Sequence, residues 1–165
     1  MEVADNEYTM RYGTDVTSDI LHVTGSATAT IVGDLESGTG IPVDAFDCII
    51  VTQTLHFIYD YRAALRHLFT ALKPGGVLLC TVPGIAQVSR YDADRWGDYY
   101  RFTGQAAARM LADAGFGQTS VQTYGNVLTA SGMLSYLAIE DFTKAELESD
   151  DPDYPVIVAM YGMRT

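Results

Sequence analysis

Apolar residues follow two different periods along this chain, and each change of period marks an element. Residues 48–51, Cys-Ile-Ile-Val, are apolar without interruption, the pattern of a strand covered on both faces of a parallel sheet. Asp60 then stands where a helix N-cap belongs. Tyr61, Ala64, Leu65, Leu68, Phe69 and Leu72 share one helical face, while Arg62, Arg66 and Lys73 fall elsewhere. Pro74 disfavours helical angles at Lys73, and Gly75 and Gly76 accept turn geometry, so the helix stops there. A second buried strand over residues 77–82 follows. Strand, helix and strand with a crossover of this length form a parallel unit.

The same reading extends in both directions. Residues 1–4 read as the tail of a first strand, residues 16–21 as a second and residues 28–32 as a third. Residues 22–27 are too few for a crossover helix, and Gly38, Gly40 and Pro42 mark a loop over residues 36–45. Thr103 caps a helix with Ala107, Met110, Leu111 and Ala114 on its apolar face, and Gly115 ends it. A strand over residues 119–124 comes next. Asn126 caps a helix that turns Ala130, Met133, Leu134, Leu137 and Ala138 inward, and Thr143 and Glu146 have capping-box spacing. An acidic loop over residues 146–153 precedes a last strand over residues 154–163. The class is α/β, in one domain of 165 residues.

Composition narrows the chemistry. At 48% apolar the chain buries a core. A net charge of −11, with only 10 scattered Lys and Arg, argues against binding a nucleic-acid backbone or an anionic membrane and favours cationic ligands. Cys48 and Cys80 both fall in core strands and read as free buried thiols in a reducing compartment, a disulfide being the alternative if the strands are neighbours. No apolar run approaches the roughly 18 residues of a membrane span, and no leader pattern precedes the first elements, so a cytoplasmic protein is expected. No spacing of His, Cys or carboxylates suggests a metal site, and His67 reads as an exposed helix residue. The missing Gly-x-Gly-x-x-Gly makes NAD and FAD the weaker cofactors.

Three features carry a family resemblance: Phe46-Asp47 opening a strand, Leu55-His56 followed by Asp60 just past its end, and Leu72-Lys73-Pro74-Gly75-Gly76 before the next strand. Together they resemble the fourth- and fifth-strand motifs of class I S-adenosylmethionine (SAM)-dependent methyltransferases. Within them the chain is most similar to the type 11-like, methyltransferase domain-containing group found with sugar-transfer enzymes. The resemblance implies a Rossmann-like fold: a seven-stranded, mostly parallel sheet with an antiparallel last strand, here with shortened first two crossovers. It implies SAM as cofactor, with Glu2 and Ala4 in the glycine-rich first motif, where Ala4, Asn6 and Tyr8 replace the glycines. Asp19 would accept from the ribose hydroxyls or else be a surface turn residue. Asp34 and Leu35 would meet the adenine, or Asp34 would only open the loop. Thr54 and His56 would border the cofactor.

His56 reads either as a catalytic base, a role open also to a carboxylate of residues 91–101, or as a hydrogen-bonded structural residue. Residues 90–103 interleave aromatic and charged side chains and make poor core. Tyr91, Trp96, Tyr99, Tyr100 and Arg101 either bind the acceptor or pin a lid or dimer contact. The implied function is methyl transfer to a small-molecule or sugar hydroxyl. The alternative, supported by the altered first motif, is an inactive binding or assembly module, as a homodimer or docked on a glycosyltransferase.

Overall fold

Two parallel strands of two residues each, β1 (Leu21–His22) and β2 (Ile31–Val32), come first among the described residues, 17–165, of the computed structural model. The first strand expected at residues 1–4, and with it Glu2 and Ala4, lies outside the described residues. There follow β3 (Phe46–Thr52), a 3-10 turn at Leu55–Phe57, α1 (Tyr61–Ala71), β4 (Leu72–Pro83), α2 (Arg90–Trp96), α3 (Gly104–Ala114) and β5 (Gln118–Tyr124). The chain closes with α4 (Val127–Leu134), a 3-10 turn at Ile139–Asp141, α5 (Lys144–Leu147) and β6 (Ile157–Met163).

The described strands form two sheets, β1-β2 and β3-β4-β6-β5, and not the single seven-stranded sheet expected. β1 and β2 are shorter than the strands read from the sequence. Their ladder is confined to Leu21↔Ile31 and His22↔Val32. Elsewhere the topology follows expectation. β3 and β4 are parallel across the α1 crossover, and the last strand, β6, runs antiparallel to both β4 and β5.

α1 forms because its apolar residues share a face and Asp60 accepts a 2.9 Å hydrogen bond from the Ala63 amide. Asp60→Ala is expected to cost about 1 kcal/mol in urea unfolding, the usual worth of such a cap. The helix ends at Ala71, before the proline, because Leu72 already takes extended angles and pairs with Phe46. Pro74, Gly75 and Gly76 sit within β4, where the ladder shifts between Phe46 and Cys48. A Cβ on Gly76 would come within 2.8 Å of the Lys73 carbonyl oxygen and 3.0 Å of that of Phe46, so the irregularity needs glycine. Arg164, just past β6, donates to the carbonyls of Thr70 and Leu72 and to the Asp44 carboxylate, capping the C-terminal end of α1.

α1 and α3 pack on one face of the larger sheet. Ala64, Leu65, Leu68, Ala107, Met110 and Leu111 meet Val51, Leu78, Cys80, Val82, Val158 and Met160 there. On the opposite face the register aligns Ile50, Leu79 and Tyr161, and Ile50 and Leu79 are 36% and 40% exposed. β3 is therefore covered on one side only among the described residues, since both long helices lie on the other. Cys48 shares the open face and is exposed, which corrects the expectation of two buried thiols. Cys80 is buried, and both are free.

The helix after Asn126 also departs from its pattern. It stops at Leu134, and Tyr136 turns the chain with a φ of 62°. Ala130 and Gly132 are its buried residues, Gly132 lying beneath the Phe142 ring, while Leu134 and Leu137 are half exposed. No described helix is long and apolar enough to cross a membrane.

Candidate functional site

β3 and β4 end side by side, and the chain leaves β3 through Gln53, Thr54, Leu55 and His56. Gln53 takes a left-handed φ of 47°, a strained value for a side-chain-bearing residue. Its amide is held by the Thr81 carbonyl at 2.9 Å, and its Nε2 is buried with no partner. Thr54 turns its hydroxyl back to the Thr52 carbonyl at 3.0 Å. His56 is 7% exposed, and its Nδ1 is likewise buried and unpartnered. Leaving a polar group buried and unpaired costs about 1–3 kcal/mol. Two such atoms lie within four residues of each other at this strand end, both beneath the surface.

Burial holds the His56 imidazole below its ordinary pKa of 6.5. The Asp98 carboxylate pulls it upward, Arg101 pushes it down and Asp92 pulls it up. At neutral pH the ring is neutral.

Residues 84–101 form a lid over this strand end. Ser89 caps α2 at the Asp92 amide, and the Ser89 amide donates to Asp98 Oδ2 at 3.2 Å. The Arg101 guanidinium holds Asp98 at 2.5 and 2.9 Å and donates to the carbonyls of Ala86, Gln87 and Tyr100. Its hydrogen bond keeps the Asp98 carboxyl below the usual carboxylate range. The Tyr99 amide donates to the His56 carbonyl at 2.9 Å, and Phe102 returns to Pro83 at 2.8 Å. At the far end the Trp96 ring meets His22, at the end of β1, edge to face at 6.0 Å.

The residues singled out from the sequence thus divide. Tyr99 is tied to His56 through its amide, with Tyr100 and Arg101 following it, whereas Trp96 meets His22 instead. Tyr99 is half exposed and meets Tyr59 edge to face at 5.3 Å. The Tyr100 hydroxyl donates to the Tyr59 carbonyl at 2.8 Å, and its ring packs on Tyr61 and Phe102. Phe102 is core, so the segment is less purely surface than its sequence suggests. Tyr91 is exposed, with the Arg95 guanidinium over its ring at 3.6 Å.

Asp19 and Asp34 belong to the small sheet. Asp19 precedes β1 and accepts from the Thr30 hydroxyl at 2.9 Å. Asp34 follows β2 and accepts from the amides of Glu36 and Ser37, and hydrogen bonds from Ser37 and Glu36 hold its carboxyl low. The loop that Asp34 opens is fixed to α1: Glu36 accepts from the Asp60 amide, and His67 Nδ1–H donates to the Leu35 carbonyl at 2.8 Å. His67 is therefore half buried and not the exposed helix residue its position suggested.

Gln53 did not stand out in the sequence, and Asp98 did so only as one of several carboxylates in the segment of residues 90–103. For Gln53 the available signal was a large polar side chain directly after a buried strand; for Asp98 it was an Arg three residues on. A separate cleft of about 600 Å³ lies at the end of β5, lined by Asn126, Val127, Leu128, Glu146, Asp150 and Pro152. Its buried amide, Asn126, already donates to the Glu146 and Ser149 carbonyls, so no unpaired buried polar side-chain atom faces it among the described residues. The end of β3 is the candidate site carried forward, because the unpartnered buried atoms of Gln53 and His56 lie there.

Open α/β sheets hold ligands outside the carboxyl ends of their strands, and the turn from Gln53 to His56 lies at such an end. Residues 9–121 match the family model described as "Methyltransferase domain". The chain belongs to the class I SAM-dependent methyltransferases, a family whose cofactor is S-adenosylmethionine. Over 98 residues it is 35% identical to the ubiquinone/menaquinone biosynthesis C-methyltransferase UbiE of Pectobacterium atrosepticum, a match covering 57% of this chain and 39% of that protein. The chain thus spans about two fifths of the length of the curated relatives it matches.

Solved structures share the fold at lower identity. A SAM-dependent methyltransferase of Thermotoga maritima, a possible histamine N-methyltransferase, superposes with a TM-score of 0.57 at 17% identity, covering 84% of this chain and 65% of that one. Phosphoethanolamine N-methyltransferase 2 of Haemonchus contortus, in complex with S-adenosyl-L-methionine, gives 0.53 at 17% identity, over 81% of this chain and 36% of that one.

Proposed function

We propose that this chain binds SAM at the β3 end and transfers its methyl group to a hydroxyl of a small molecule, with a sugar hydroxyl the preferred acceptor. The observation that supports the reading is His56: neutral at neutral pH, buried, and with an unpartnered Nδ1 beside the carboxyl end of β3. When bound, SAM supplies a methyl group on a sulfonium, open to in-line displacement. The chain's own work is then alignment and proton removal.

Asp19 and Asp34 each carry a carboxylate with lone pairs beyond those already used, suited to ribose hydroxyls and to the adenine amine respectively. Leu35 supplies apolar contact, and Thr54 and His56 line the crevice. The Gln53 amide is a further donor. His56, as the Nε2–H tautomer, takes the acceptor's proton at Nδ1, an atom that acceptor binding must first uncover. The exposed rings of Tyr59, Trp96 and Tyr99, with Tyr91 beyond, form an aromatic margin on which a sugar or other ring stacks. Tyr100 and Arg101, read above as acceptor-binding, spend their polar atoms on Tyr59, Asp98 and lid carbonyls and so shape that margin from behind.

One observation favours the second reading, a binding module docked on a glycosyltransferase or paired with a second copy: Asp34 is engaged by its own loop. Incubation with methyl-labelled SAM and a panel of sugars and phenols separates the two. Label in an O-methyl product supports transfer. Cofactor binding with no labelled product from any hydroxyl supports the module.

A further inference from the structure

We infer that the ion pair of Asp98 and Arg101 is a positioning element for His56, fixing the lid on the histidine's backbone and balancing charge at its ring. The inference rests on the proposed role of His56.

The geometry is that of a strut. Asp98 is 1% exposed at its side chain and Arg101 26%, and two short bonds of 2.5 and 2.9 Å join them. Each partner also holds lid backbone: Asp98 takes the Ser89 amide, where α2 starts, and Arg101 takes three carbonyls on both sides of the helix. Between the two charged residues stands Tyr99, whose amide holds the His56 carbonyl. The pair therefore fixes the turn that fixes His56. The imidazole itself makes no hydrogen bond through Nδ1, so its proton affinity answers to burial and to nearby charge.

The charges that act on it are Asp98, Arg101 and Asp92, two raising its affinity for a proton and one lowering it. An intact strut keeps the two largest charges opposed. Removing either one leaves the other acting alone, and the two removals have opposite signs. A pair that merely holds structure behaves differently. Losing either partner would loosen the lid, wet the ring and move it toward its ordinary value of 6.5 in both cases.

The test is a proton NMR titration of the His56 ring in the full chain, with the three histidines assigned through His→Gln variants. Asp98→Asn should lower the His56 titration midpoint relative to wild type, and Arg101→Gln should raise it. Movement of both in the same direction, or of neither, overturns the inference. Trp96, the single tryptophan, reports through its emission whether the lid is intact. If the charge-removing variants do not fold, Asp98→Glu and Arg101→Lys keep the charges and disturb the fork. Trp96 emission and the His56 midpoint should then move together, since a loosened fork loosens the turn that holds His56, and an emission that shifts with the midpoint unchanged overturns the inference. The measurement needs neither SAM nor acceptor. Absence of methyl transfer would thus sink the functional reading and leave this one standing.

Discussion

Leu111→Ala is expected to lower the unfolding free energy by about 2–5 kcal/mol, the range for truncating a buried leucine. Leu111 is fully buried on α3, and its side chain lies against Gly162 of β6, where an added Cβ would sit 3.3 Å from Cδ2. The surroundings cannot close the gap cheaply. Leu65, Leu68, Leu78 and Val158 are each held by their own strand or helix, and the Leu111 carbonyl is tied to the Phe116 amide at 3.2 Å. The loss therefore includes a cavity term as well as a transfer term. Leu128→Ala, at a residue 45% exposed, is the matched control and should change stability by no more than about 0.5 kcal/mol. Urea unfolding of both variants checks the pair, and equal losses would mean that the core is not where α1 and α3 meet the sheet.

His56→Gln is expected to reduce methyl transfer by about 10²–10⁴-fold, the usual contribution of a positioned base. Affinity for S-adenosylhomocysteine should change far less, because the product-like ligand needs no proton removed. The pH profile carries a second signature. Burial keeps the folded-state pKa of His56 below the ordinary 6.5, so the neutral base survives into mildly acidic solution and the rate falls only below that value.

The sign for stability follows from the same shift. An unfolded chain takes up the histidine proton first as pH falls, so stability is present above 6.5 and is lost progressively below it. Asp98 acts in the same direction at lower pH. Arg101 holds it below 3.8, and its contribution is lost as pH falls from there through the folded value. Thermal unfolding followed from neutral to acid pH should show the first loss vanish in His56→Gln and the second in Asp98→Asn.

Where the sequence was legible, one local rule decided the structure. Asp60, Thr103 and Asn126 cap the helices assigned to them, because a short acceptor before an apolar repeat satisfies amides that nothing else reaches. The antiparallel last strand was expected from resemblance and is present. Where it misled, neighbours far along the chain decided. Cys48 and Ile50 read as buried on both faces, yet burial depends on which helices come back to cover them, and α1 and α3 both chose the other side. Leu134 and Leu137 kept a helical apolar spacing that the turn at Tyr136 breaks.

The sequence singled out His56 and the aromatic run, but not the contacts that the fold makes around them. The role of Arg101 depends on Asp98 being buried beside it, which residue type alone does not show. Gln53 matters because its backbone is strained and its amide lacks a partner, and both are properties of the folded chain.

The central claim is that the end of β3 is a cofactor site. Its most direct test is an NMR titration of the full chain with S-adenosylhomocysteine, following the Gln53 side-chain amide and the His56 ring. The account predicts saturable shifts at both, as the two unpartnered atoms meet the ligand or its ordered water. Saturable shifts confined to the cleft around Asn126 and Glu146, or none at all, would contradict it.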